Sequence, residues 1–187
     1  LPYAQGLAEA GIIACGKHFP GHGDTMLDSH LALPRVEHSL ERLRSIEMAP
    51  FVAAVRQGIP MIMTAHVLYT ALDANLPASL SRDVVTGWLR EALGYRGVVV
   101  TDDLEMRAVA DRFGAGEAAV LAVRAGSDVL LVCNTPDRVR EARDALAEAI
   151  EHGTLGAAAL NDAAARRDKL MKRIRRLPID AAVLKKA

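Results

Sequence analysis

Four short apolar runs recur along the chain, and each has the length and composition of a buried β-strand. They are IIACG (12–16), PMIMTAH (60–66), GVVVT (97–101) and DVLLVC (128–133). Their residues are continuously apolar rather than alternating with polar ones, which is typical of strands covered on both faces. The pattern therefore predicts a parallel sheet inside the core of an α/β protein.

Amphipathic segments separate the apolar runs and predict helices. They cover 40–57, 81–94, 116–126, 136–151 and a basic stretch over about 157–176, with Ser81 as an N-cap and Gly94 as a helix end. The strands start 48, 37 and 31 residues apart, the rhythm of β/α units joined by right-handed crossovers. Two architectures fit: a doubly wound open sheet, or about half of an eight-stranded β/α barrel, since a full barrel takes about 250 residues.

The composition narrows the classes of partner. The 187 residues carry 23 basic and 23 acidic side chains, so no net charge favours nucleic acid or an anionic membrane as a partner. No apolar run approaches the roughly 20 residues of a membrane helix, and no signal-peptide pattern opens the chain. Cys15 and Cys133 lie in apolar runs, which indicates reduced core cysteines and favours a cytoplasmic location. We predict no cofactor and no metal.

Polar and titratable residues follow the predicted strands. They are Lys17 and His18, then His66, then Asp102 and Asp103, and finally Asn134. Barrels and open α/β sheets both bind ligands at the carboxyl ends of their strands, so these residues form a candidate site. The alternative for each one is contact with solvent or a capping role.

The two neighbouring aspartates have different predicted directions. Asp102 and Glu105 have the spacing of a capping box, which would make Asp102 a helix cap. Strand alternation, however, places Asp102 and Asp103 on opposite faces, so one can face a central site while the other caps or pairs outward. The spacing leaves both assignments open.

The segment GKHFPGHGDTMLDSH (16–30) concentrates proton-handling groups on a glycine-rich loop. His18 and His22 have a zinc-binding helical spacing, but Pro20 and Gly21 between them disfavour a regular helix. Asp28 lies two residues before His30, and a carboxylate near an imidazole favours its protonated form and fixes its orientation. Such a histidine can act as general acid and then as general base.

Three longer motifs together resemble glycoside hydrolase family 3, in its β-N-acetylglucosaminidase branch. They are KHFPGHGDTMLDSH followed by LP, then MTAHVLYTALDANLPASLS, then LREALGYRGVVVTDDLEM. The resemblance implies a (β/α)8 TIM barrel and retaining hydrolysis of terminal β-linked N-acetylglucosamine through a covalent glycosyl-aspartate. It assigns Asp102 as nucleophile, His30 as acid/base with Asp28 as its dyad partner, and Lys17 and His18 as contacts of the terminal sugar.

The resemblance also implies what lies outside the chain. The family's barrel begins upstream with strands that add a sugar-binding aspartate and arginine, so residues 1–187 are expected to form the C-terminal half of one catalytic barrel domain. Independent activity of such a half is doubtful, and its unpaired sheet edges invite self-association. The expected substrates are peptidoglycan or chitin fragments. For a cytoplasmic enzyme, the expected process is peptidoglycan recycling.

Three alternatives stay open at this point. A family 3 β-glucosidase is one, although the DSH dyad argues against it because those relatives generally take a glutamate acid/base from elsewhere. A non-catalytic sugar-binding fragment is the second. The third is a phosphorylase, in which phosphate replaces water.

Overall fold

A parallel four-stranded sheet forms the centre of the structure, a computed structural model that describes residues 2–25, 28–29 and 31–174. The strands are β1 (Cys15–Phe19), β2 (Arg35–Val36), β3 (Met61–Thr64), β4 (Leu68–Tyr69), β5 (Val98–Asp103) and β6 (Val129–Leu131). The sheet has the strand order β1-β3-β5-β6, and a separate parallel ribbon pairs β2 with β4. The parallel sheet predicted from the four apolar runs is confirmed.

Helical segments connect and cover the strands. They are α1 (Pro2–Glu9), α2 (Leu40–Arg42), π1 (Leu43–Glu47), α3 (Ala49–Arg56), π2 (Asp83–Ala92), α4 (Arg107–Ala110), α5 (Ala115–Ala125), α6 (Pro136–Glu151) and α7 (Ala157–Met171), with π1 and π2 in π-helical geometry. The predicted helix over 40–57 is therefore three consecutive pieces, and the one over 81–94 is π2. Ser81 accepts a hydrogen bond from the Val84 N–H at its start, as expected of a capping serine.

Strand β1 begins three residues later than the apolar pattern predicts. Ile12 is exposed, and pairing with β3 starts only at Cys15 opposite Met61. Apolar character marks burial but not hydrogen-bond pairing, and the ladder follows the register of the neighbour. As a consequence Lys17 and His18 lie on β1 itself rather than after it.

The largest core cluster packs π1, α3 and π2 onto the sheet. Phe19 on β1 lies edge-on to Phe51 on α3, with ring centroids 5.2 Å apart. Ile62 on β3 and its pairing partner Val99 on β5 are fully buried in the same cluster. Within residues 2–174 as described, no helix is long and apolar enough to cross a membrane.

The two cysteines depart from the prediction: both are free thiols, but Cys133 is exposed and Cys15 only half-buried.

Candidate active site

The carboxyl ends of β1 and β5 bring His18 and Asp102 together. The His18 Nε2 lies 3.5 Å from Asp102 Oδ2, and the side chains are 25% and 20% exposed. The other carboxylate oxygen, Oδ1, accepts a hydrogen bond from the Asp103 N–H. One oxygen of Asp102 is thus held by the backbone, while the other faces a partly open surface beside an imidazole. A carboxylate in this position can bind a cation or attack an electrophilic carbon.

Asp103 turns away from this pair and fixes the loop after β6. Its Oδ1 accepts hydrogen bonds from the N–H groups of Glu105 and Cys133, and its Oδ2 accepts one from the Asn134 side-chain amide. Asn134 therefore contacts the second aspartate and not the first. The capping-box alternative for Asp102 is wrong, because Asp103 receives the Glu105 N–H while the Glu105 carboxylate accepts the N–H groups of Asn134 and Thr135.

His66 fixes the backbone that carries both aspartates. It lies just beyond β3 and is fully buried. Its Nε2 donates to the carbonyl of Asp103 over 3.0 Å, and its Nδ1 accepts from the Ser79 hydroxyl over 2.6 Å. Burial lowers the pKa of His66, and the charges of the two aspartates oppose this shift only in part. The neutral imidazole therefore has a structural role: it holds the backbone of Asp103 behind the site. Its partner Ser79, 13 residues away, is not marked by any motif in the sequence.

Strand β1 and the loop after it carry the remaining predicted residues. Lys17 is exposed on β1, and Asp28 is exposed on the loop. The carbonyl of Asp28 accepts hydrogen bonds from the N–H groups of Leu31 and Ala32, so Asp28 opens a turn. His30, the predicted acid/base, lies outside the described residues. Lys17, His18 and Asp28 thus belong to the strand and loop that border Asp102, while the roles given to them stay predictions.

A cluster of possible metal ligands joins this loop to the segment around α2 and π1, and the guanidinium of Arg42 contacts it. One ligand atom each from Asp24, His38 and Glu47 lie within 4.8 Å of one another. The guanidinium of Arg42 donates to Asp24 Oδ2 over 2.7 Å and to Glu47 Oε1 over 3.3 Å, and His38 Nε2 also donates to Asp24. The hydrogen bond from His38, with the Arg42 charge, holds the pKa of Asp24 below its usual range. Because Arg42 bridges the two carboxylates, this cluster ties the loop after β1 to π1.

His18 and His22 do not share a helix in the structure, as expected from Pro20 and Gly21 between them. His18 lies on β1 and His22 on the loop, with the two rings edge to face at 5.7 Å between centroids. The peptide bonds Lys17–His18 and Phe19–Pro20 are both cis. The two histidines do not belong to any group of three or more possible metal ligands in the described part of the chain.

Comparison with known proteins identifies the family. The model of the glycosyl hydrolase family 3 N-terminal domain matches residues 1–170. The chain belongs to glycosyl hydrolase family 3. The resemblance drawn from the three motifs is confirmed, and the family's TIM-barrel-like α/β fold decides between the two architectures that the strand spacing had left open. The four parallel strands are part of that barrel; their place in its C-terminal half stays a prediction.

The relatives and solved structures that resemble this chain are named as β-hexosaminidases or β-N-acetylglucosaminidases. A β-hexosaminidase of Neisseria gonorrhoeae (strain NCCP11945) is 43% identical over 144 residues, which is 77% of this chain and 40% of that protein. β-Hexosaminidase A of Pseudoalteromonas piscicida is 36% identical over an alignment of 192 positions, which covers 93% of this chain and 32% of that protein. The structure of a family 3 β-N-acetylglucosaminidase from Paenibacillus sp. str. FPU-7 superposes with a TM-score of 0.91 at 44% identity, covering 95% of this chain and 35% of that one. The chain spans about two fifths or less of the length of these relatives.

Proposed function

We propose that the protein containing this chain is a retaining exo-β-N-acetylglucosaminidase. The observation that carries the proposal is the Asp102 carboxylate at the end of β5, whose Oδ2 faces His18 across 3.5 Å at a partly open edge of the sheet. The family membership and the names of the relatives support glycoside hydrolysis of an N-acetylated amino sugar. Peptidoglycan or chitin fragments are the proposed substrates, and a cytoplasmic recycling role is the matching proposed context.

The proposed reaction has two displacements at the anomeric carbon. In the first, Asp102 Oδ2 attacks that carbon while His30, oriented by Asp28, gives its proton to the leaving oxygen; the glycosidic bond breaks and a glycosyl-aspartate forms. In the second, His30 takes a proton from water, the water oxygen attacks the same carbon, and Asp102 leaves as a carboxylate. Two inversions give net retention. Lys17 and His18 are proposed to hold hydroxyl groups of the terminal sugar.

Replacement of the nucleophile tests the proposal. We expect Asp102→Ala to lower kcat/KM for the 4-nitrophenyl N-acetyl-β-glucosaminide by about 10⁴-fold or more, as removal of a nucleophile does in covalent catalysis. Asp111→Ala is the matched control, because Asp111 is an exposed aspartate whose one ion pair among the described residues is with Arg107, one helical turn away. ¹H NMR of the first product formed should show the β-anomer.

The same assay separates the alternatives. A preference for the 4-nitrophenyl β-glucoside supports the β-glucosidase, and faster turnover with added phosphate, with release of a sugar phosphate, supports the phosphorylase. Full activity of Asp102→Ala contradicts the proposed mechanism. Binding of N-acetylglucosamine without cleavage of either glycoside, in the protein as it is naturally expressed, supports a sugar-binding role.

A further inference from the structure

Ser29 is a buried residue on the loop after β1. It separates Asp28 from His30 in the sequence, and it is 5% exposed, whereas Asp28 is exposed. Two contacts hold it: its Oγ lies 3.1 Å from His22 Nε2, and its carbonyl accepts the Ala108 N–H of α4 over 3.2 Å. The residue between the two members of the proposed dyad is therefore fastened at both its side chain and its backbone.

His22 is itself fixed, and it connects the loop to the nucleophile. Its Nδ1 lies 3.1 Å from the Thr25 hydroxyl, so both ring nitrogens have partners. The carbonyl of the preceding Gly21 accepts a hydrogen bond from the buried Tyr69 hydroxyl. On its other side the ring of His22 contacts the ring of His18, which faces Asp102. A continuous series of contacts thus runs from Asp102 through His18 and His22 to Ser29.

We propose that His22 and Ser29 are positioning residues that fix the loop at Ser29, between the two members of the proposed dyad, and thereby orient that dyad for proton transfer. The inference rests on the proposed function, since it assumes that Asp28 and His30 form the dyad. General acid catalysis depends on the proton donor being within hydrogen-bond reach of the leaving oxygen. Removal of the His22 ring or of the Ser29 hydroxyl, which both break the contact between these two side chains, should therefore impair protonation of the leaving group more than attack by Asp102.

Leaving-group dependence measures this difference. A phenyl N-acetyl-β-glucosaminide needs protonation of its leaving oxygen, whereas the 2,4-dinitrophenyl glycoside has a leaving group acidic enough to depart without it. For both, kcat/KM reports formation of the glycosyl-enzyme. In the protein as it is naturally expressed, we expect Ser29→Ala and His22→Ala to lower kcat/KM by about 10²-fold for the phenyl glycoside, within the range of acid–base catalysis, and by far less for the dinitrophenyl glycoside.

Two further variants show whether the contact itself matters. Ser29→Thr keeps the hydroxyl and should retain most of the activity on the phenyl glycoside. Ser127→Ala is the matched control: Ser127 is a buried serine beside β6 whose hydroxyl has no hydrogen-bond partner among the described residues. It should leave the ratio of the two kcat/KM values unchanged. Thermal unfolding of each variant shows whether it is folded at the assay temperature.

The reference variants Asp28→Asn and His30→Ala separate the two levels of the argument. If these variants lose the phenyl glycoside selectively but the His22 and Ser29 variants lose both glycosides equally, or neither, the positioning role is wrong and the dyad stands. If the reference variants themselves show no leaving-group dependence, the acid/base assignment in the proposed function is wrong, and the positioning role falls with it.

Discussion

Two adjacent aspartates at the end of β5 have different roles because their surroundings differ. Asp102 presents one carboxylate oxygen to His18 at a partly open surface, whereas Asp103 uses both oxygens to bind the segment around Cys133 and Asn134. Strand alternation predicts that the two side chains diverge, but not which of them faces the site. That choice depends on the residues after β6, about 30 positions further along the chain, which a local pattern cannot report.

His66 makes the stability of the protein depend on pH. Burial lowers its pKa below the ordinary value of 6.5, so the unfolded chain takes up a proton at a higher pH than the folded one does. The contribution of the neutral His66 to the free energy of unfolding is therefore fully present above about pH 7. As pH falls through and below 6.5, the free energy of unfolding decreases through this group by at most about 1.4 kcal/mol per pH unit. We expect urea unfolding to show this decline between about pH 7 and pH 5.

The variant His66→Gln isolates this contribution. A glutamine amide does not titrate and can still donate to the Asp103 carbonyl, so the pH slope should diminish even if the overall stability is lower. His152→Gln is the control, because His152 is exposed at the end of α6 and loses little hydration on folding. An unchanged slope in His66→Gln would assign the pH dependence to other groups.

At the scale of elements, sequence pattern predicts which segments fold together better than it predicts their geometry. The helix over 136–151 has the predicted bounds in α6, and Gly94, with a φ of +70°, ends the segment of π2 as expected. The apolar residues of π2 predict a buried face, but they do not predict whether its N–H groups pair at α-helical or π-helical spacing. The ribbon of β2 and β4 has two residues a strand, too few for any period. Tertiary pairing decides these features.

The loop that carries the proposed dyad depends on one glycine for its conformation. Gly21 has a φ of +139°, and a Cβ there would lie 2.8 Å from Glu47 Cβ and 2.9 Å from the Glu47 carbonyl oxygen. Gly21→Ala should therefore push the loop away from π1 and destabilise the protein by about 1–3 kcal/mol, the usual cost of overpacking. Urea unfolding measures the loss, and kcat/KM should fall with it.

Gly23→Ala is the matched control on the same loop. Its φ is not positive, and a Cβ there meets nothing within 4 Å, so stability should be unchanged or slightly higher. In the sequence the two glycines are equivalent members of one glycine-rich loop, but in the structure only the backbone of Gly21 approaches Glu47 too closely to leave space for a Cβ, whereas Gly23 has that space. Equal destabilisation by the two variants would contradict this distinction.

At the scale of the whole molecule, the two ends of the parallel sheet serve different purposes. The carboxyl ends carry the candidate site, which the strand-end pattern predicts. The opposite end is held by Asp128, whose fully buried side chain accepts hydrogen bonds from Arg90 on π2, Arg166 on α7 and the Val99 N–H on β5. In the sequence this aspartate is only the polar first residue of the run DVLLVC, because its partners lie 29 to 38 positions away. Contacts between distant segments are what the sequence pattern does not contain.

This buried ion cluster should contribute to stability without contributing to catalysis. Asp128→Asn keeps the shape of the side chain but removes its charge, which leaves the mostly buried guanidinium of Arg90 without a counterion and places an amide N–H₂ among donors. We expect a loss of about 3–5 kcal/mol, as for other buried pairs from which one partner is removed. Chemical unfolding measures it.

The exposed pair of Asp137 with Arg140 on α6 provides the control. Asp137→Asn makes the same change in charge and shape, but water screens and solvates both groups, so the unfolding midpoint should barely move. Because the Asp128 cluster lies at the end of the sheet opposite Asp102, Asp128→Asn should keep the substrate preference and pH profile of the parent protein at temperatures where it stays folded. A change in either would mean that the two ends of the sheet are coupled, and that Asp128 acts on the site as well as on the fold.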